Sequence, residues 1–582
     1  MKQISKIPIE IIFPILLIWQ ILLTFQGLDL ADTGFSLTAF RFIFDDPYSA
    51  QYSMMFWLSD VCGGLWMKIW PAMGLYWFKI GWIVVISSTF MIYFSLLKPL
   101  LGKRNALIGL AITLIFILQG GPECLNYDIF SCLGYAIAIL TLYKGLNNNR
   151  LGLIILSGSL FGMSVFFKLS NSSALAFYLL IPFSALLYKD SLGEFLKKSF
   201  IWLLGFAGGM IFVLLLINQI GHLDLFLNNL SVVSAMGKDI HASHGLKPML
   251  LSYLSGYMNA LVLLVIFMLI VWIYLKLTNK YQNLYTERNC LFILFLVGGL
   301  AVLLTILLKD VFWSKVRYLF IGLMIFQGLA LIADKKCRSE MRLLSLAGLI
   351  LLLIAPLGSD SGLGKSTWGM WILGPLVLTM PLTLKLENLF QLPKLIHQAQ
   401  FLKRLLAVLI LLTAMASAWE STYFDVGSRI SKVYPIEHPH MKFIYTSKER
   451  ARVVNELISE GFPKMKDEKY LLSFIEIPTL NYLSDKRPFI STSWPKLYYN
   501  PITFRLKLEE ALLHRKTFPA IIRQKQNTGL NDWPDSPVPD YLKYKVGLSY
   551  WPEHGRILNE FIERNNYQVV WENEMFQLLT RQ

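Results

Sequence analysis

Two carboxylates open the first polar stretch of the chain, "GLDLADTGFSL" at residues 27–37. Asp29 and Asp32 follow directly after an apolar run that predicts a membrane span over residues 9–26. Acids beside a bilayer are costly, so they usually have a function or a structural partner. A carboxylate here could accept a proton from a hydroxyl or an amine. The competing interpretation is that Asp29 or Asp32 caps the helix that begins with "TGFSLTAF".

Other ionisable residues stand at the ends of later apolar runs. They are Glu123 and Asp128 in "GGPECLNYDIF", Lys168 in "FFKLSNSS", and Lys309, Asp310, Lys315 and Arg317 with Tyr318 in "LKDVFWSKVRYLF". Lysine and arginine could hold a phosphate leaving group as its charge develops. The set therefore suits group transfer from a phosphate-linked lipid. Structural roles compete: Asp128 as a helix cap, Lys168 as a side chain snorkelling to headgroups, and Arg317 with Tyr318 as an interfacial anchor.

The composition indicates which elements must position these residues. Of the 582 residues, 55% are hydrophobic and 16% are charged, and the mean hydropathy is +0.51. Soluble domains carry roughly 25% charge, so the sequence predicts a polytopic α-helical membrane protein. About thirteen apolar runs are long enough to be read as spans, near residues 9–26, 72–96, 105–118, 129–143, 151–167, 173–188, 199–219, 251–275, 291–308, 318–333, 342–356, 369–384 and 403–419.

Lysine and arginine are concentrated in alternate loops, which predicts a cytoplasmic N-terminus. This topology puts all the candidate site residues, and everything after residue 420, outside. The first outside loop, about 27–71, predicts amphipathic interfacial helices in "TAFRFIFDD" and "AQYSMMFWLSDVCGGLWMKIW". The net charge of +16 lies mostly in short loops, so it indicates topology rather than nucleic-acid binding.

Residues 420–582 are richer in charge and proline than the spans before them. Helical patterns ("TSKERARVVNELISEG", "FRLKLEEALLHRK", "HGRILNEFIERN") alternate with strand patterns ("YLLSFIEI", "PAIIRQK") and a final hairpin ("YQVVWEN", "MFQLLTR"). The sequence thus predicts a transmembrane domain over residues 1–419 and a soluble extracytoplasmic α/β domain over 420–582.

The arrangement of acids and bases resembles the GT-C glycosyltransferases, and within them the protein O-mannosyltransferase and lipid A aminoarabinose transferase branch. Asp32 matches the acid of the first loop, and Asp128, in "YDIFSCLGYAIAILTLY", matches the acid that begins the fourth span. "FKLS" supplies Lys168 without the glycine of the family's "TKG"-like motif, and "SKVRYLF" supplies Arg317 and Tyr318 without the usual proline. "TGF" follows Asp32 instead of a second adjacent acid, which leaves the sugar and the acceptor open.

The resemblance, which covers residues 1 to about 335, implies an integral membrane glycosyltransferase that moves a sugar from a polyprenyl-phosphate donor to an unidentified extracytoplasmic acceptor by inverting displacement. Asp32 would be the base and Asp128 would support the site. Lys168, Lys315, Arg317 and Tyr318 would bind the donor phosphate, with Asp29, Glu123 and Lys365 as accessory residues. The resembled branch implies no metal, although an acid pair could hold a divalent ion.

Two other classes stay open: a transporter or flippase of lipid-linked sugars, and a polysaccharide polymerase or ligase. Lys365 lies in "GSDSGLGKS", which lacks the first glycine of a Walker A loop because Ser359 stands there. We expect a phosphate or sugar contact from Lys365 rather than nucleotide binding. The short loops and the soluble domain favour a bacterial inner membrane, with the C-terminal domain in the periplasm.

Overall fold

The computed structural model describes residues 11–238, 245–280, 287–359, 361–380, 396–495, 499–526, 528, 533–534 and 551–581. Helices dominate the first 420 residues. They are α1 Ile12–Leu23, α2 Asp32–Phe42, α3 Trp57–Ile69, α4 Leu75–Leu101, α5 Lys103–Ile117, α6 Tyr127–Asn147, α7 Leu151–Ser164, α8 Leu180–Tyr188, α9 Leu192–Gln219, α10 Leu223–Lys238, α11 Leu246–Lys280, α12 Glu287–Leu308, α13 Asp310–Ala333, α14 Ser339–Ile354, α15 Leu373–Thr379 and α16 Ile396–Glu420.

Seven of the described helical segments are long and apolar enough to cross a membrane. They are Leu75–Leu101, Tyr127–Asn147, Leu169–Tyr188, Leu192–Gln219, Leu246–Tyr274, Asp310–Ala333 and Gln400–Glu420. Each coincides with a predicted span. This agrees with a polytopic membrane protein, but the predicted number of thirteen is not confirmed.

The other six predicted spans coincide with helices α1, α5, α7, α12, α14 and α15. Most of these are short: α7 has 14 residues and α15 has 7. A helix rises about 1.5 Å per residue, so 14 residues extend about 21 Å and fall short of the ~30 Å hydrocarbon layer. An apolar run in the sequence therefore does not by itself fix a complete span.

The first loop differs from the predicted pair of interfacial helices. Nearly every side chain of α2 is buried, including Phe35 and Phe40, so this helix lies inside the protein. The helix α3 crosses it closely, because a Cβ at Gly63 or Gly64 would overlap the ring of Phe40 or Phe44. The end of α3 exposes the apolar side chains of Leu65, Ile69 and Trp70, with Lys68 among them.

The C-terminal region contains the predicted strands and helices. Its strands are β1 Tyr434–Pro435, β2 Tyr445–Thr446, β3 Tyr470–Phe474, β4 Arg487–Pro488, β5 Ala520–Gln524, β6 Tyr567–Glu572 and β7 Phe576–Arg581, and its helices are α17 Lys448–Glu456, α18 Thr479–Leu483, α19 Pro501–Arg515 and α20 Trp551–Arg564. Five strands form one sheet in the order β4-β3-β5-β7-β6, parallel across β4, β3 and β5 and antiparallel beyond. The predicted final hairpin is β6–β7.

The C-terminal region packs directly on the first loop. Thr479 N donates to Leu30 O at 3.1 Å and Thr479 Oγ1 donates to Asp29 O at 3.0 Å. A Cβ at Gly34 would collide with Thr479, so glycine permits this close approach. One apolar core extends from α1 to β7. The boundary at residue 420 stays a prediction.

Candidate active site

Asp29 is the helix cap of the first loop. Its carboxylate accepts hydrogen bonds of 2.7 Å from both Ala31 N and Thr33 N, at the start of α2. Burial, and then the neighbouring Asp32 carboxylate, raise the pKa of Asp29 to about 7. The capping role that the sequence left open between two acids therefore belongs to Asp29.

Asp32 is the first residue of α2 and has a different environment. The hydroxyl of Tyr423, which follows α16, donates to Asp32 Oδ2. Burial, and then the two carboxylates and Tyr127 nearby, raise the pKa of Tyr423 well above its usual range. This hydroxyl stays protonated and serves as a permanent donor to Asp32. We call Asp29 and Asp32 the carboxylate pair.

Asp128 lies at the start of α6, between two lysines. Lys168 Nζ is 3.2 Å from its Oδ1, and Lys365 Nζ is 3.2 Å from its Oδ2. The helix cap is Asn126, which accepts from the backbone N–H groups of Asp128 and Ile129. Asp128 is therefore not needed as a cap, and Lys168 points to this carboxylate instead of snorkelling outward. We call Asp128, Lys168, Lys365 and Arg317 the lysine–aspartate cluster.

The segment after α14 brings the cluster together. A Cβ at Gly358, where φ is +84°, would lie 2.6 Å from Ser170 Cβ and 3.8 Å from Lys168 Cε. The 3₁₀ helix Gly362–Gly369 then carries Lys365 to Asp128. A Cβ at Gly364 would lie 3.7 Å from Arg317 Nη1. These glycines let the backbone approach both cations closely.

Arg317 is half-buried on α13, and its Nη1 faces the backbone at Gly364. Its Nε is buried, and no residue in the described part of the chain accepts a hydrogen bond from it. Buried guanidinium donors are normally satisfied, so this atom is available to an anion. The cluster holds three cations and one acid, and Asp310 adds a second acid near Arg317. The remaining excess of positive charge suits a phosphate.

Tyr127 connects the two groups. Its ring stacks on Phe56 at 4.0 Å, Lys168 Nζ lies 5.4 Å from its centroid, and it contributes to the electrostatic environment of Tyr423. Tyr127 therefore lies beside Lys168 of the cluster and near Tyr423, whose hydroxyl donates to Asp32. Asp128, Lys168 and Lys365 are in direct contact, and Arg317 lies near Gly364, next to Lys365 in the chain. Asp32 is linked to them only through Tyr423 and Tyr127.

Three other candidates are placed differently. Lys315 is exposed on α13 and, within the described ranges, makes none of the ion pairs that join the cluster. Tyr318 stacks beside Arg317, with the guanidinium carbon 5.6 Å from its ring centroid. Glu123 is buried and pairs with Arg429 at 2.7 Å, which is a structural contact to the C-terminal region.

A cavity of about 330 Å³ opens next to Tyr423. Its lining includes Glu123, Lys309, Asp310, Trp313 and Phe424, so acidic, basic and aromatic groups face the same space. Within the described residues, no group of three or more His, Cys, Asp or Glu side chains is suited to hold a metal ion.

The sequence pattern missed Tyr423 and Asp425. Buried Asp425 accepts from Leu28 N at 2.8 Å and from Thr446 Oγ1 at 2.9 Å, and it pairs with Arg450. Both missed residues lie in "STYFDVG", immediately after the last predicted span. A search for charged residues at the end of that span would have found Asp425, but not the uncharged Tyr423.

No protein-family model and no curated protein matches the chain. Among solved structures, the chain is similar to the crystal structure of the Archaeoglobus fulgidus oligosaccharyltransferase complex with Zn and sulfate, at 12% identity and a TM-score of 0.46. The likeness covers 88% of this chain and 68% of that one. A similarity of this size is too low to identify the fold.

Proposed function

We propose that this chain is a membrane glycosyltransferase of the GT-C type, which moves a sugar from a polyprenyl-phosphate donor to an extracytoplasmic acceptor. The observation that carries the proposal is the pair of ammonium groups 3.2 Å from the Asp128 carboxylate, with Tyr127 beside Lys168 and near Tyr423, the partner of Asp32. A phosphate leaving group and an acceptor that must lose a proton require these two environments side by side.

In the proposed reaction, Asp32 takes the proton from an acceptor hydroxyl or amine. The acceptor oxygen or nitrogen attacks the anomeric carbon of the sugar as the bond from that carbon to the phosphate oxygen breaks. The electron pair of the broken bond stays on the phosphate. Because attack and departure occur on opposite faces of the sugar, the configuration inverts.

The cations would stabilise the phosphate as its charge grows. Lys168 and Lys365 are held by one carboxylate, Asp128, so both ammonium groups are oriented before the donor arrives. Arg317 contributes the buried donors. Tyr423 orients Asp32, and Asp29 fixes the first turn of α2 from which Asp32 projects.

The test uses the full chain in vesicles with a panel of radiolabelled polyprenyl-phosphate sugars and a membrane extract as acceptor. Transfer releases free polyprenyl phosphate, whatever the acceptor is. A transporter or flippase would leave the donor intact and move it between leaflets. A lectin added outside the vesicles detects this movement, because it binds only the sugars of the outer leaflet. Intact donor with every sugar of the panel would contradict the proposal.

A further inference from the structure

Apolar side chains are exposed at one edge of the C-terminal region, where a soluble domain would present polar ones. Ile430 is 69% exposed, Val433 60% and Phe443 51%. At the end of α3, Ile69 is 66% exposed and Trp70 51%. We call these five residues the apolar rim. Exposed apolar patches of this kind generally mark an interaction surface.

The segment that carries the rim is tied to the ends of membrane helices. Arg429 donates to Ala418 O at 2.6 Å, in the last turn of α16, and to Leu23 O at 2.9 Å, the last residue of α1. The β1–β2 hairpin is joined to the residues after α1 by Tyr445 N to Phe25 O at 2.9 Å and Gly27 N to Tyr445 O at 3.0 Å. The β1–β2 hairpin therefore lies level with the ends of α1 and α16.

Contacts with a third helix, α4, place the hairpin at the same level. Gly74, which caps α4, lies so close to His440 that a Cβ there would overlap the backbone. Phe443 lies 5.3 Å from Tyr76, in the first turn of α4. Trp77 stacks on Trp66 at 4.5 Å. Tryptophan and tyrosine concentrate at this level of membrane proteins because their rings suit the headgroup region.

We propose that the apolar rim inserts into the headgroup and upper acyl region of the bilayer, so that residues 426–443 anchor the C-terminal region to the lipid surface. The rim continues the apolar faces that α1 and α4 expose along their lengths, for instance Ile18 and Val84. Those faces meet lipid in any polytopic arrangement, and the rim follows them at the same edge. This inference does not depend on the proposed glycosyl transfer.

The control position lies on the far edge of the C-terminal sheet. Val569 on β6 is 46% exposed, and β6 is the edge strand opposite β4. It has the same chemistry as the rim residues, but none of the contacts to helix ends. Water should surround it in the folded protein.

The experiment adds one cysteine at a time to the parent chain: Ile430→Cys, Val433→Cys, Phe443→Cys and Val569→Cys. Each full-length variant is labelled with nitrobenzoxadiazole maleimide and reconstituted in phosphatidylcholine nanodiscs. The parent chain has five cysteines, so its own labelling supplies the blank. Gel filtration of every variant must match that of the parent.

We expect blue-shifted emission at positions 430, 433 and 443, strong quenching by spin-labelled phosphatidylcholine and loss of quenching by iodide. Position 569 should show the opposite order. Iodide quenching at the rim equal to that at 569 would show a solvated edge and overturn the proposal. Protection from both quenchers would show a protein cover, such as a second copy, and would overturn it as well.

Discussion

The carboxylate pair and the lysine–aspartate cluster hold acids in contrasting ways. Asp29 accepts from backbone N–H groups beside a second acid, and Asp32 accepts from a tyrosine hydroxyl. Asp128 lies between two ammonium groups. Hydrogen bonds from neutral donors stabilise a carboxylate less than two ammonium groups do. In the proposed reaction the same residue type is therefore a proton acceptor in the carboxylate pair and a partner for cations in the cluster.

The largest effect should follow from removing the proton acceptor. Asp32→Asn keeps the size and one acceptor oxygen, but loses the base, and we expect release of polyprenyl phosphate to fall roughly 100- to 10,000-fold. Asp45→Asn, at an exposed surface pair with Arg41 near the end of α2, is the matched control and should stay active. Normal turnover by Asp32→Asn would remove it as the base.

A smaller loss should follow on the cation side. Arg317→Met removes donors aimed at the leaving phosphate, which should lower kcat roughly 100- to 1,000-fold. Lys315→Met, on the exposed face of the same helix, should have little effect. The comparison is made with one donor at saturating concentration. Equal losses in both variants would mean that α13, rather than the guanidinium, is responsible.

Tyr423→Phe tests whether the tyrosine hydroxyl stabilises the ionised form of Asp32. Loss of one hydrogen bond to a charged group costs about 1.5 kcal/mol, or about tenfold in rate. Because the hydroxyl stabilises the ionised carboxylate, its loss should also move the acid limb of the pH–rate profile to higher pH. The exposed Tyr434→Phe is the control. A rate loss with an unmoved profile would point to a structural role.

The last effect is on stability and leaves the rate comparison unchanged. The pKa of Asp29 is raised from 3.8 to about 7, so between these values the unfolded chain loses a proton that the folded chain keeps. Stability should therefore fall as pH rises from about 4 to 7, and then stop changing from this source. Asp29→Asn should flatten this part of the Tm–pH curve in nanodiscs. A parallel curve for both proteins would contradict the raised pKa.

Local patterns predicted the elements of the C-terminal region and seven of the thirteen expected spans. The strands and helices of the C-terminal region appear where alternation and 3.6-residue periodicity placed them, and the seven long apolar helices lie on predicted spans. Burial of α2 was not predictable, because the residues that cover it, such as Thr479, are more than 400 positions away. The amphipathic pattern of α2 does not show whether its apolar face packs against protein or against lipid.

Charge identified the cations and acids of the candidate site because charged groups at span ends are costly. The pairing was not visible: Lys365 and Asp128 are 237 positions apart, and Lys365 was only an accessory candidate. Tyr423 carries no charge, so nothing in its local sequence distinguished it from an interfacial aromatic. The sequence pattern therefore does not predict uncharged side chains that contact the site from distant positions in the chain.

The contacts of Asp425 set an order of events in biosynthesis. This carboxylate joins Leu28, near the beginning of the chain, to Arg450, and Tyr423 beside it reaches Asp32. The early helices leave the ribosome long before either partner is made. These contacts are consequently absent while the earlier helices insert into the membrane. They form only after α16 and the residues that follow it have been synthesised.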